Sequence, residues 1–139
     1  MTEYHGEQPL KYTVTHYRQA SRTHQEFKKW ITEVHLPLGL PIFQRHGALG
    51  YTLFFTPKDL NDAVKEVGKV YPTWDFADYD CFIEYTLPSI DTIKAITADP
   101  EWPTAIAHQE DWIDVTKGLV SIGYATSYMV DGKIVNPPK

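Results

Sequence analysis

The sequence predicts an α+β fold, a ferredoxin-like four-stranded antiparallel sheet with helices on one face. Three observations carry this expectation. β-rich alternating segments and amphipathic helical segments take turns along the chain, in the order strand, helix, strand, helix, strand, helix, strand, with one additional helical excursion. The second strand segment has apolar residues on both of its faces, so each face needs a cover. At 139 residues the chain is long enough for a real core but too short for two ordinary domains, so we read 1–139 as a single domain with a core spanning about 10–135. A sheet with helices on one side leaves its other side to be buried, and a homodimer packed face to face is the simplest solution.

Residues 10–17 alternate and are rich in β-formers, giving a first strand on which His16 shares a face with Tyr12 and Val14. Thr23 followed by Glu26 is a capping-box pattern and opens the first helix. Phe27, Trp30, Ile31 and Val34 then take one helical face, with His35 beside them, while Lys28, Lys29, Thr32 and Glu33 take the wet face. Pro37 disfavours a helical Leu36, so the regular helix is expected to end near His35. A second helical piece covers 38–46 and closes at Gly47. The second strand, 48–56, carries Tyr51, Leu53, Phe54 and Phe55. Thr56-Pro57 starts a further helix through Leu60, Val64 and Val67. Residues 79–87 form a third strand with an apolar face of Tyr79, Cys81, Ile83, Tyr85 and Leu87 and a mixed face of Asp80, Phe82, Glu84 and Thr86. Two helical pieces follow, 89–99 and 99–114, the second carrying Trp102, Ile106 and Ile113. A last strand, 119–130, turns at Asp131-Gly132 into Lys133-Ile134-Val135, and Asn136-Pro137-Pro138-Lys139 closes the sequence.

Composition excludes several function classes. A hydrophobic content of 42% with 22% charged residues fits a globular protein, and a net charge of −5 argues against nucleic acid, which needs a basic face. No apolar run approaches the roughly 20 residues that span a bilayer. Residues 1–7 lack the basic and apolar parts of a signal peptide, and we expect a cytoplasmic protein without a membrane partner. The single Cys81 excludes an internal disulfide, and its place inside a strand favours a structural thiol. Histidine spacing offers no i, i+4 pair or His-x-His, so no metal site is expected. No glycine-rich phosphate loop or nucleophile elbow occurs. Aromatic residues make up 14% of the chain, nine of them tyrosines, and this suits a pocket for an aromatic, oxygen-bearing ligand.

His35 is the residue of most chemical interest. A histidine at the edge of an apolar stripe is either a half-buried side chain bonded to a carbonyl or, in a water-poor pocket, a general acid or base titrating near neutral pH.

Glu26-Phe27 with Trp30, then His35-Leu36-Pro37, then Gly47 and Tyr51 resemble the EthD domain of the dimeric α+β barrel superfamily. Asp80 with Glu84, Asp99-Pro100-Glu101-Trp102, Trp112-Ile113-Asp114 and Gly123-Tyr124 resemble a fungal subgroup of that family, and the likeness runs from about Tyr12 to Val135. The resemblance implies a homodimer acting without a cofactor on a small aromatic polyketide. The implied reaction is decarboxylation of an anthrone- or anthraquinone-type acid in secondary metabolism; cyclisation, dehydration and cofactor-free anthrone oxidation are the rival reactions. It shifts His35 toward a catalytic role.

Loss of carbon dioxide beside a phenol or ketone leaves an enolate-like carbanion, which needs a donor at oxygen and an acid at carbon. His35 can be that acid, with His16 as its partner if strand one faces the cavity, and His108 is either a second proton carrier or a surface residue. Tyr12, Tyr51 and Tyr85 could bind phenolic oxygens, Trp30, Phe43 and Trp112 could sandwich the rings, and Tyr124 joins them as a binding residue. A non-catalytic carrier of a hydrophobic aromatic ligand is the alternative outside enzymes.

Overall fold

The computed structural model describes residues 9–68 and 73–135. The N-terminal residues 1–7 read above for a signal peptide, and the closing residues 136–139, lie outside the described residues. Four strands, β1 (Leu10–His16), β2 (Gly50–Phe55), β3 (Cys81–Leu87) and β4 (Val120–Tyr124), form one antiparallel sheet in the order β2-β3-β1-β4. This is the predicted ferredoxin-like sheet. Among the described residues no helix is long and apolar enough to cross a membrane.

Register explains which side chains meet. Tyr12 pairs with Tyr85, Val14 with Ile83 and His16 with Cys81 across β1 and β3, while Tyr51 pairs with Tyr85 across β2 and β3. Because side chains alternate, all of these point to one face. That face carries the core, where Phe27, Ile31, Ile42, Ile83, Leu87 and Ile96 are fully buried. Each such side chain contributes about 1.5–3 kcal/mol relative to an exposed one. The opposite face is mixed: Lys11 bonds Thr86 at 2.7 Å and pairs with Glu84 at 3.2 Å, while Phe54 is 55% exposed.

The first helix forms as its cap dictates. Thr23 accepts from the Glu26 N–H, and the Glu26 carboxylate accepts from the Thr23 N–H, a reciprocal pair that stabilises a helix start by about 1 kcal/mol. Its end differs from the sequence expectation. The chain does not leave the helix at His35. Helix α1 (His24–Trp30) passes through a π turn (Ile31–His35) directly into α2 (Leu36–Arg45), with Leu36 itself helical at φ −60° and ψ −44°. The Leu36 N–H bonds the Ile31 carbonyl, five residues back. The expected conflict between Pro37 and the helix is absorbed by this widened turn. Val34 is consequently 50% exposed, and His35 takes the inward position assigned to Val34. Gly47, at φ +84°, then closes α2 in the left-handed conformation that glycine adopts freely.

Elsewhere the strands are shorter than expected. Helix α3 (Lys58–Gly68) follows Pro57, and α4 (Asp91–Ala98) follows β3. The region expected to be helical over 99–114 is mostly turns: α5 spans only Trp102–Ala105, and a 3-10 turn covers Gln109–Asp111. The expected strand over 119–130 breaks after Tyr124. The Asp131-Gly132 turn is confirmed, joining β5 (Met129–Val130) to β6 (Lys133–Ile134) with positive φ at both turn residues.

Candidate functional site

His35 is buried at 9% exposure on the inner side of the π turn. Its Nδ1 lies 3.0 Å from the Ala105 carbonyl oxygen. A carbonyl only accepts, so Nδ1 carries the proton, and in the neutral ring Nε2 keeps its lone pair. The contact is the carbonyl bond expected of a structural histidine, but it satisfies one nitrogen and leaves the other for chemistry. Trp30 stacks on the imidazole at 5.4 Å and 22°, and Trp102 meets it edge-on at 6.5 Å. Burial pushes the His35 pKa below its ordinary value, against a smaller upward pull from the Ala105 bond. The neutral, basic form therefore dominates near pH 7.

Space beside Nε2 comes from Gly39, one turn along α2. A side-chain carbon at position 39 would lie 3.8 Å from both Cε1 and Nε2 of His35. The absence of that carbon keeps the reactive edge of the ring uncovered.

Helix α5 supplies both the Ala105 carbonyl and the Trp102 ring, and a polar clamp holds it. Asp99, just before α5, is buried and bonds Arg45 at 2.9 Å and His46 at 2.7 Å, while its second oxygen accepts from the Glu101 N–H at 2.8 Å. The Glu101 N–H, then His46 and Arg45, hold the Asp99 carboxyl down at about 2. The clamp fastens α5 to the C-terminal end of α2.

Aromatic rings continue from His35 across the core. Trp102 meets Phe43 at 6.0 Å, Phe43 meets Tyr85 at 4.6 Å and Tyr51 at 5.2 Å, and Tyr85 stacks on Tyr12 at 5.7 Å. On the other side Trp30 stacks on Trp112 at 6.1 Å, and Arg22 covers Trp112 at 3.8 Å. Tyr51 is a hydroxyl of interest: it is buried and makes no hydrogen bond of normal geometry, although it is close enough to Tyr85 to be influenced by it. Burial raises the pKa of both phenols, so both stay protonated.

The structure thus brings Tyr12, Trp30, Phe43, Tyr51, Tyr85 and Trp112 into one continuous cluster with His35. His16 belongs with them: it faces the core side, and its pKa is lowered to about 4 by burial and by the neighbouring His35. Two expected residues are not brought in. His108 sits in a left-handed turn with its side chain 82% exposed, 4.0 Å from Asp111, because the helix expected to carry it is absent. Tyr124 ends edge strand β4 opposite Leu10 and is 49% exposed. Trp102 was missing from the expected site; only its place between Pro100 and Pro103 hinted at a fixed position.

A shallow apolar depression of about 340 Å³ adjoins the cluster, lined by Leu40, Phe43, Ala48, Leu49, Gly50 and Tyr51. Its size falls in the usual small-molecule range of roughly 300–1,000 Å³. His35 does not line it; the Phe43 and Trp102 rings stand between. A second depression of about 310 Å³, with Arg18, His24, Lys58, Asp62 and Asp80 on its walls, is charged, and these groups largely neutralise one another in pairs. Cys81 is fully buried, and burial pushes its thiol up to about 12, which excludes it as a nucleophile. No group of three metal-ligating side chains occurs among the described residues.

Comparison with known proteins agrees with this architecture. Residues 19–116 match the EthD domain. The chain is 33% identical over 131 residues to "Dehydratase iacD" of Pestalotiopsis fici, covering 94% of this chain and 95% of that one. It is 21% identical over 131 residues to "Decarboxylase AgnL1" of Paecilomyces divaricatus, covering 94% and 87%. A solved structure described as a dimeric ferredoxin-like protein, from Thermobifida fusca, superposes with a TM-score of 0.51 at 11% identity, covering 89% of this chain and 97% of that one. Residues 19–116 are most of the chain and the 33% identity to the Pestalotiopsis fici protein runs over nearly its whole length, so the chain belongs to the EthD domain family.

Proposed function

We propose that the protein is a cofactor-independent lyase that dehydrates a β-hydroxy ketone ring of an aromatic polyketide, with His35 as the base. The observation that carries this reading is the protonation of His35: Nδ1–H is committed to the Ala105 carbonyl and burial keeps Nε2 unprotonated. Nε2 removes a proton from the carbon beside the ketone, and the electron pair moves onto the ketone oxygen. The enolate then expels hydroxide from the β carbon, and hydroxide leaves with the proton returned by Nε2. One C–H and one C–O bond break, a C=C bond forms, and water departs with His35 restored. His16, uncharged beside His35, is a donor for the developing oxyanion. Tyr51, which lines the apolar depression beside Tyr85, offers its hydroxyl to a distal phenol oxygen.

The dehydratase name of the 33% identical relative supports this reaction. The decarboxylase name of the more distant relative supports the other, in which His35 delivers a proton to carbon after carbon dioxide leaves. That role needs the imidazolium, so its rate would rise as pH falls, whereas dehydration by the free base rises with pH up to the His35 pKa and then levels. The partner we propose is a second copy of this chain, packed on the open sheet face where Phe54 is exposed. The Thermobifida fusca protein is described as dimeric.

The test is incubation with a polyketide carrying both a β-hydroxy ketone and a carboxyl group, followed by mass spectrometry. Loss of water, reduced roughly 10²–10⁴-fold in His35→Ala, is the expected result. Loss of carbon dioxide alone would replace dehydration with decarboxylation. Binding without turnover, retained in His35→Ala, would make the protein a carrier.

A further inference from the structure

We propose that Pro37 is a positioning residue: it pins the helix's π turn to residues 31–35, and this pinning puts His35 rather than Val34 on the inner face. The argument starts from helix phase. A residue advances about 100° around an α-helix and roughly 80° through a π turn. Phe27, Trp30 and Ile31 are buried and define the centre of the inner face. Continued as a regular α-helix, the chain would bring Val34 close to that centre and leave His35 about 85° away from it. Through the π turn His35 comes within roughly 10° of the centre and Val34 falls about 70° outside. Observed burial follows the second pattern, with His35 at 9% and Val34 at 50% exposure.

The downstream residues require the slip somewhere. Gly39, Ile42 and Phe43 are buried while Leu38 is 44% exposed, so α2 is one residue out of phase with α1. Packing of α2 fixes the existence of the slip but not its place. If the slip lay after position 35, Phe43 would still be buried and His35 would turn outward.

Pro37 decides the place. In a regular α-turn its ring would collide with the Glu33 carbonyl, and it has no N–H to give. With Leu36 bonded to Ile31, five residues back, the ladder resets where that donor is missing. The carbonyls of Thr32 and Glu33 belong to exposed residues, so water can satisfy whichever is left over. Moving the slip past residue 35 would put Pro37 back against a regular turn.

The activity consequence rests on the reading of His35 as base; the register does not. Four proteins test it: wild type, Pro37→Ala, deletion of Glu33, and both changes together. Deleting one exposed residue from the turn brings α1 and α2 into phase without a slip; with Pro37 retained its ring meets the Thr32 carbonyl of that regular turn, and with Ala at 37 nothing opposes it. NMR titration of the labelled His35 imidazole is the readout. We expect Pro37→Ala to move the His35 pKa toward the ordinary 6.5 and to speed Nδ1–H exchange at least tenfold. The double variant, regular and in phase, is expected to titrate close to wild type, while the deletion alone, with Pro37 against a regular turn, is expected to be less heat-stable than the double variant. An unchanged His35 titration in Pro37→Ala overturns the proposal, and so does an equal shift in the double variant. A shifted titration with unchanged turnover upholds the positioning role and instead sinks the assignment of His35 as base.

Discussion

His16 can be tested without knowing the substrate, because a histidine buried in its neutral form makes folding stability depend on acid. Its pKa falls from 6.5 to about 4 on folding, through burial first and the nearby His35 second. The sign follows from the direction: the folded protein binds this proton less readily than the unfolded chain. The stabilisation is therefore fully present above pH 6.5 and is lost as pH falls toward 4. One pKa unit corresponds to about 1.4 kcal/mol. On that scale the loss from this residue is about 1.4 kcal/mol at pH 5.5 and about 2.6 kcal/mol at pH 4.5, relative to pH 7.5. Urea denaturation of wild type and His16→Gln at those three pH values isolates the contribution, since other groups titrate in both. The wild-type stability should fall more steeply than that of the variant, by about 2.6 kcal/mol over the range. Parallel pH profiles would refute the placement of His16 as a buried, uncharged neighbour of His35.

Three further outcomes follow from the site. Gly39→Ala should raise helix stability by about 1 kcal/mol, because the new methyl meets only the imidazole edge at 3.8 Å; turnover should nonetheless fall tenfold or more, and unchanged turnover would show that substrate does not approach Nε2 there. Asp99→Asn should loosen α5 and raise the His35 pKa, read by NMR. Because Asp99 is depressed on folding to about 2, its contribution is present above pH 3.8 and lost toward pH 2, and that acid limb should vanish in the variant. Tyr51→Phe removes a buried hydroxyl without a normal bond and should raise thermal stability by about 1 kcal/mol, while weakening calorimetric affinity for a phenolic ligand roughly tenfold.

Much of this architecture is written in local patterns. Alternation along 10–17 and 79–87 assigned the core face of the sheet, including the placement of His16 with Tyr12, and the Thr23–Glu26 cap marked the helix start. What escaped depends on contacts between distant segments. Pro37 signals a helix end by local sterics, but tertiary packing of Ile42 and Phe43 carries the helix onward through a π turn. Trp102 is set by a clamp between Asp99 and residues 45–46, more than fifty positions away. His108 falls on the surface, one of its two expected places, because the helix expected to carry it does not form: after Ala105 the chain runs through turns that seat Ile113 in the core and leave His108 outside.

The proton on His35 Nδ1 is held by main chain, not by a side chain. A carboxylate in that role could be lost in one substitution, whereas the Ala105 carbonyl survives every replacement small enough for its buried site. Divergence within the family can therefore rewrite the residue at 105 without altering the tautomer at 35. The vulnerable point moves to the Asp99 clamp, so sequence drift that changes reactivity should register at positions 45, 46 and 99, far in sequence from the histidine whose chemistry it retunes.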